Sequence, residues 1–150
     1  MAAIEVGDTA PLFTAPLQDG GTFDSASLLG SKWLVLFFYP KDDTPVCTKE
    51  ACAFRDSYEK FAAAGAEVVG VSSDTAASHA RFAARHRLPF PIVADTDRRL
   101  RRLFGVPNTF GVIPGRVTYV IDRQGLVRLV YSALLASDAH VQRALAAVGG

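Results

Sequence analysis

Tyr39-Pro40-Lys41-Asp42-Asp43-Thr44-Pro45-Val46-Cys47 joins the end of an apolar run to the start of a helix, and its reading decides the fold. The run before it, Trp33–Tyr39, is continuously apolar, the pattern of a strand covered on both faces. Pro40 and three charged residues close it, and it is far too short to cross a bilayer. Thr44 suits a helix N-cap and Pro45 the first helical position, which puts Cys47 at the third. Pro45–Ala64 then reads as one long helix closed by Gly65, Ala66–Ser72 as a strand and Thr75–His86 as a second helix. The rhythm is βαβα.

Downstream come a short apolar piece at Phe90–Val93, a basic helix near Arg98–Phe104 and a Gly/Pro-rich loop from Gly105 to Gly115. Val117–Ile121 and Leu126–Tyr131 flank Asp122-Arg123-Gln124-Gly125 and form a hairpin. Ser137–Val148 is a last helix, with Ser137 as N-cap, Gly149 as stop and Val141, Leu145 and Val148 on one apolar face. A hairpin beside βαβ units requires parallel and antiparallel pairing together. The expected class is therefore α/β, a mixed central sheet flanked by helices.

The 150 residues carry no internal repeat, low-complexity tract or linker, so one domain over 1–150 is expected. Nearly half are apolar and the formal charge is +1, with both signs interspersed, which speaks against nucleic acid as partner. Met1–Pro11 holds Glu5 and Asp8 but no Lys, Arg or long apolar run, so neither a targeting segment nor a membrane anchor is expected and the compartment reads as cytoplasmic. Arg98-Arg99-Leu100-Arg101-Arg102 reads as a solvated helix face, with docking of an acidic reductase as the sharper alternative.

The chemistry points to the two cysteines. At the third position of a helix, free amides and the positive end of the dipole favour an anion, and a thiolate is one. Cys47, Ala51, Phe54, Tyr58 and Phe61 follow core-facing spacing, whereas Cys52 lines up with Asp56 and Glu59 on the polar side. Residues five apart in a helix have Cα atoms ~8–9 Å apart, turned by about 140°, beyond disulfide reach. The two sulfurs could bond only if that turn unwound. Taken alone, Cys-x4-Cys leaves several readings open. A buried cysteine is often just a small core residue. A thioredoxin-type dithiol would use Cys-x-x-Cys. A zinc site would need more ligands, while His79, His86 and His140 stand singly on helices as ordinary surface or packing residues. No metal site is expected.

Pro40-x-x-x-Thr44-x-x-Cys47 resembles the active-site motif of peroxiredoxins. The extended run Tyr39–Pro45 and Cys47-Thr48-Lys49-Glu50-Ala51-Cys52 resembles the bacterioferritin-comigratory-protein, or Q-type, branch, plant and cyanobacterial members above all. The likeness continues through Phe110-Gly111, Pro114-Gly115-Arg116, Thr118–Asp122 and Gly125. It implies a thioredoxin-like fold with an N-terminal extension. It also implies roles: Cys47 as peroxidatic thiol, Cys52 as resolving thiol, Thr44 bonded to thiolate and peroxide, Pro40 shielding the pocket, Arg116 polarising the peroxide and Glu50 orienting Arg116. Val46 departs from the glycine common in the branch and stiffens the turn that must open.

The implied activity is that of an atypical two-cysteine, antioxidant peroxidase acting on hydrogen peroxide and organic hydroperoxides. Its cycle runs through a Cys47 sulfenic acid and a Cys47–Cys52 disulfide recycled by thioredoxin or a similar dithiol protein, without a cofactor and as a monomer. An ordinary cysteine is only about 3% thiolate at pH 7, so full ionisation supplies roughly thirtyfold, about 2 kcal/mol. Donors aimed at the breaking bond must do the rest, and Thr44, the Cys47 amide and Arg116 are the expected ones. The rival readings are a thiol-disulfide oxidoreductase and a redox-sensing interaction protein on the same fold.

Overall fold

The computed structural model describes residues 4–106, 108–109, 113–133 and 137–148; Phe110-Gly111 and the Gly149 stop lie outside them. Five strands form the central sheet: β3 (Trp33–Phe38), β4 (Ala66–Ser72), β5 (Ile92–Ala94), β8 (Val117–Ile121) and β9 (Val127–Ser132), in the order β5-β4-β3-β8-β9. β3 pairs parallel with β4 and antiparallel with β8, so the sheet is mixed as expected. The Asp122–Gly125 turn closes the β8–β9 hairpin: the Asp122 carboxylate accepts from the amides of Gln124 and Leu126. Ahead of the sheet, β1 (Thr14–Pro16) and β2 (Thr22–Asp24) pair antiparallel as the N-terminal extension, followed by a 3-10 turn at Ser25–Leu28. The region read as a plain loop carries a small pairing of β6 (Asn108–Thr109) with β7 (Ile113–Pro114).

Period-two alternation in β3 divides the core. Trp33, Val35 and Phe37 face one side, where they meet Phe54, Phe61, Phe82 and Val141. Leu34, Leu36 and Phe38 face the other, against Phe13, Leu100, Phe104 and Tyr119. All six β3 residues are buried because both faces are covered, which is why the run contains no polar residue. Gly70 lies opposite Phe37 in the parallel register, and a Cβ there would sit 3.0 Å from the Phe37 ring. Its missing side chain lets Phe37 and Tyr39 stack, with ring centroids 5.6 Å apart. The aromatic floor under the site turn is built this way.

Several boundaries are corrected. The single helix Pro45–Ala64 is two, α1 (Pro45–Asp56) and α2 (Tyr58–Ala63), broken at Ser57, whose backbone leaves the helical region at φ −101°, ψ 3°. Phe54 and Phe61, seven residues apart, keep the same core-facing side across the break, with ring centroids 5.7 Å apart and their planes tilted. Helix α3 (Ala76–His86) starts after Thr75, whose Oγ1 accepts from the Ser78 amide. In α4 (Arg99–Phe104), Arg98 precedes the helix in a left-handed conformation. Ser137 is the first residue of α5 (Ser137–Ala147), inside the helix.

The basic run is not a solvated face. Leu100, Arg101 and Phe104 share the inner side of α4, and Arg101 is buried at 4% exposure. Helix spacing of one and four from Leu100 forces Arg101 inward with its neighbours. Two of the histidines are likewise interior: His79 and His140 are fully buried.

Candidate active site

Tyr39 leaves β3 still bonded to β4 through its amide and the Val71 carbonyl, and Pro40 follows without an N–H to continue the ladder. The loop is held from below. Tyr39 Oη donates to Asp42 Oδ1 at 2.6 Å, while Asp42 Oδ2 lies 2.7 Å from His79 Nδ1 and accepts from Ser78 Oγ at 2.8 Å. His79 Nε2 meets the Val93 carbonyl at 3.0 Å. Both ring nitrogens of His79 thus face oxygens, a carboxylate on one side and a backbone carbonyl on the other. Burial raises the Asp42 carboxyl, but bonds from His79, Tyr39 and Ser78 and the charge of His79 outweigh it and leave it below the usual range. Asp74 Oδ2 completes the brace by accepting from the Asp42 amide and Ser72 Oγ.

Asp43 turns the chain, left-handed at φ 60°, a conformation Asp tolerates better than most residues. Its carboxylate is held by Arg85 at 3.0 Å, so α3 anchors the corner. Thr44 takes the N-cap position of α1 and Pro45 the first turn. The expected side-chain cap is absent: Thr44 Oγ1 donates to the Lys41 carbonyl at 2.8 Å and tightens the loop. Pro40 stands half-buried beside this turn.

Cys47 is buried at 2% exposure and Cys52 half-buried; both are free thiols. Arg116, just before β8, donates through Nη2 to Cys47 Sγ at 3.1 Å and through Nη1 to Glu50 Oε1 at 2.7 Å. Glu50 sits one turn beyond Cys47 and is fully buried, so one guanidinium bridges the sulfur and the carboxylate of the same helix. Burial opposes the charge on Arg116, but Glu50 and Cys47 more than offset it and raise its pKa. The structure therefore brings Cys47, Glu50 and Arg116 into contact, places Thr44 and Pro40 on the adjoining turn and leaves Cys52 on the outer side of α1.

Two further residues back this group although the sequence reading gave them no part in it. His140 of α5 places Nδ1 3.5 Å from Glu50 Oε2, an oxygen without a hydrogen-bond partner among the described residues. Thr118 Oγ1 lies 2.7 Å from the same nitrogen, and Nε2 donates to the Ala133 carbonyl at 2.8 Å. Burial lowers the His140 pKa to about 4, with the Arg116 charge adding to it against the Ala133 bond, so the ring is neutral at pH 7. Burial raises Glu50 to about 7 despite the charge and hydrogen bond of Arg116. Arg101 is the other: its charge acts on Cys47 from the far face of the sheet end. Sequence offered one signal for each, the Leu100/Phe104 stripe for Arg101 and one-residue adjacency to the core residue Val141 for His140.

Comparison with known proteins shows the family. Residues 6–130 match the AhpC/TSA family. Chloroplastic peroxiredoxin Q of Populus jackii is 48% identical over 145 residues, 96% of this chain and 68% of that protein; the Triticum aestivum protein is 48% identical over 143, 95% and 65%. The chain thus spans about two thirds of the length of these plant relatives. Among solved structures, peroxidoxin BcpB from Mycobacterium tuberculosis superposes with a TM-score of 0.89 at 39% identity, covering 97% of this chain and 96% of that one. The Xanthomonas campestris bacterioferritin comigratory protein, studied for alkyl peroxide reduction, superposes with a TM-score of 0.81 at 33% identity over 92% of each chain.

Proposed function

The chain belongs to the AhpC/TSA family, with peroxiredoxin Q proteins among its relatives, and from that premise we propose that it is a thiol peroxidase in which Cys47 attacks the peroxide and Cys52 resolves the product. One observation carries the assignment: the Arg116 guanidinium donating to Cys47 Sγ at 3.1 Å. A fixed cation bonded to sulfur favours the anion and would stabilise charge developing on the oxygens of the breaking bond.

In the first step the Cys47 thiolate attacks one peroxide oxygen, the O–O bond breaks, and the departing oxygen takes a proton and leaves as water or alcohol. Cys47 becomes a sulfenic acid and the peroxide is reduced by two electrons. Thr44 directs the peroxide, its hydroxyl already oriented by Lys41; Pro40 screens the sulfur from bulk water; Glu50 holds Arg116 in place. Cys52 then attacks the sulfenic sulfur, water leaves, and a Cys47–Cys52 disulfide forms. Because both cysteines lie in α1, that step requires its first turns to unwind. The helix ending at Asp56 rather than Ala64 limits the rearrangement to a shorter element.

A dithiol protein such as thioredoxin reduces the disulfide, and the working unit is a monomer of a single domain. The substrate class is hydrogen peroxide and organic hydroperoxides. No helix among the described residues is long and apolar enough to cross a membrane; a cytoplasmic placement stays a proposal beside the chloroplastic plant relatives. The thiol-disulfide oxidoreductase reading fares worse against the geometry, because Cys47, a residue 2% exposed, offers little surface to a bulky protein disulfide. The test is turnover of hydrogen peroxide with a thioredoxin system beside reduction of insulin; rapid insulin reduction without peroxide consumption would reverse the assignment.

A further inference from the structure

Strands β3 and β8 are paired from Leu34↔Ile121 to Phe38↔Val117, and the pairing stops there. Continued by one step it would join Tyr39 to Arg116, the residue before Pro40 and the residue that contacts the sulfur. Instead the strands part, and the site occupies the fork. A fork of two strand ends has no ladder to fix its width, yet the Cys47–Arg116 contact depends on it.

Arg101 fills that gap. Its Nη2 donates to the Tyr39 carbonyl at 2.6 Å and its Nη1 to the Gly115 carbonyl at 2.9 Å. These two carbonyls belong to the peptide bonds that lead into Pro40 and Arg116. The planar guanidinium holds its nitrogens at a fixed spacing, so binding one carbonyl with each sets the distance between the strand ends. The arginine is itself anchored. The Asp95 carboxylate accepts from the amides of Leu100 and Arg101, at 3.0 and 3.1 Å, and the guanidinium carbon lies 5.7 Å from the Phe38 ring centroid. Burial lowers the Arg101 pKa to about 10, with Asp95 opposing, so it keeps its charge at neutral pH. A buried charge with Nε unpartnered among the described residues is costly, which argues for a use beyond filling space.

We infer that Arg101 is a positioning residue of the peroxide site, a clasp across the β3/β8 fork that holds Pro40 and Arg116 at their working separation. It acts through Arg116, rests on the peroxidase reading, and needs no contact with substrate. Lysine would keep the charge but donate from a single nitrogen, and so could not span both carbonyls. Methionine would keep the apolar stem on Phe38 and lose charge and clasp together.

The test mixes reduced wild type, Arg101→Lys and Arg101→Met rapidly with hydrogen peroxide and follows formation of the Cys47 sulfenic acid against pH, with thermal midpoints recorded alongside. We expect Arg101→Lys to react about tenfold more slowly with an unmoved pH midpoint, and Arg101→Met about a hundredfold more slowly with the midpoint displaced to higher pH. Wild-type rates in Arg101→Lys, or a lowered thermal midpoint with unchanged rates in both variants, would overturn the clasp. If Arg101→Met does not fold, Arg101→Lys decides alone. Should wild type fail to react with peroxide, the peroxidase reading falls instead, and the clasp is then judged on alkylation of Cys47 by iodoacetamide: slower in Arg101→Lys supports it, equal overturns it.

Discussion

Arg116 Nη2 lies 3.1 Å from Cys47 Sγ although 69 residues separate them along the chain, and the same guanidinium holds Glu50 at 2.7 Å. The sulfur therefore meets a cation whose direction is set by a second residue of its own helix. Replacing Arg116 by Met is expected to slow the reaction of Cys47 with peroxide by ~10²–10³, the range for losing one aligned donor to a developing anion. Arg116→Lys should recover only part of this, because an ammonium cannot bridge sulfur and carboxylate in one plane. Stopped-flow measurement of the single-turnover rate checks both, and an unaffected Arg116→Met would remove Arg116 from the mechanism.

The cysteines have separable outcomes. Cys47→Ser should abolish peroxide consumption, while Cys52→Ser should complete one turnover and stop with a sulfenic acid on Cys47, visible as one added oxygen in intact mass and captured by a carbon nucleophile. Turnover by Cys52→Ser at the wild-type rate with a thioredoxin system would show that α1 need not unwind.

Glu50 makes stability fall with rising pH. Its carboxyl is raised to about 7 in the fold by burial, outweighing Arg116, against an ordinary value near 4.5. The folded state thus binds the proton more tightly than the unfolded chain, so this contribution is full below about 4.5 and is lost as pH rises through about 7. That difference corresponds to on the order of 3 kcal/mol. The stability of wild type relative to Glu50→Gln should therefore drop between pH 5 and pH 8, as urea unfolding at a series of pH values would show. A difference that is flat with pH would mean that Glu50 is ionised throughout.

The brace under the loop makes the opposite contribution. Asp42 is held below its usual range, so its share of stability is present above its unfolded value and disappears as pH falls through the lower folded one. His79→Ala leaves a buried carboxylate without its partner at 2.7 Å, which costs ~3–5 kcal/mol by the usual behaviour of buried pairs. Denaturant midpoints should show the loss, and the peroxide rate should fall too, because Asp42 lies within the turn that carries Thr44.

The fold and the candidate thiol were readable one residue at a time. The unbroken apolar run Trp33–Phe38 announced a strand buried on both faces, and Thr44-Pro45 ahead of Cys47 announced a helix that begins at the thiol. Such signals are local: a strand's alternation and a helix's first turn are dictated by neighbours in sequence. The break at Ser57 escaped because no Gly or Pro marks it and the seven-residue spacing of Phe54 and Phe61 reads as one continuous helix face.

What the linear chain could establish, then, was which elements form, in what order, and that a thiol opens the longest run of helix. Tertiary structure alone decided which charges face that thiol. The partners of Arg101 and His140 emerged only once α4 and α5 packed onto the sheet: Arg101 meets Tyr39, 62 residues away, and His140 meets Thr118 and Glu50 on two other elements. Burial then sets their chemistry: out of water, each charge needs a partner, and the partners available are those that the sheet order brings together.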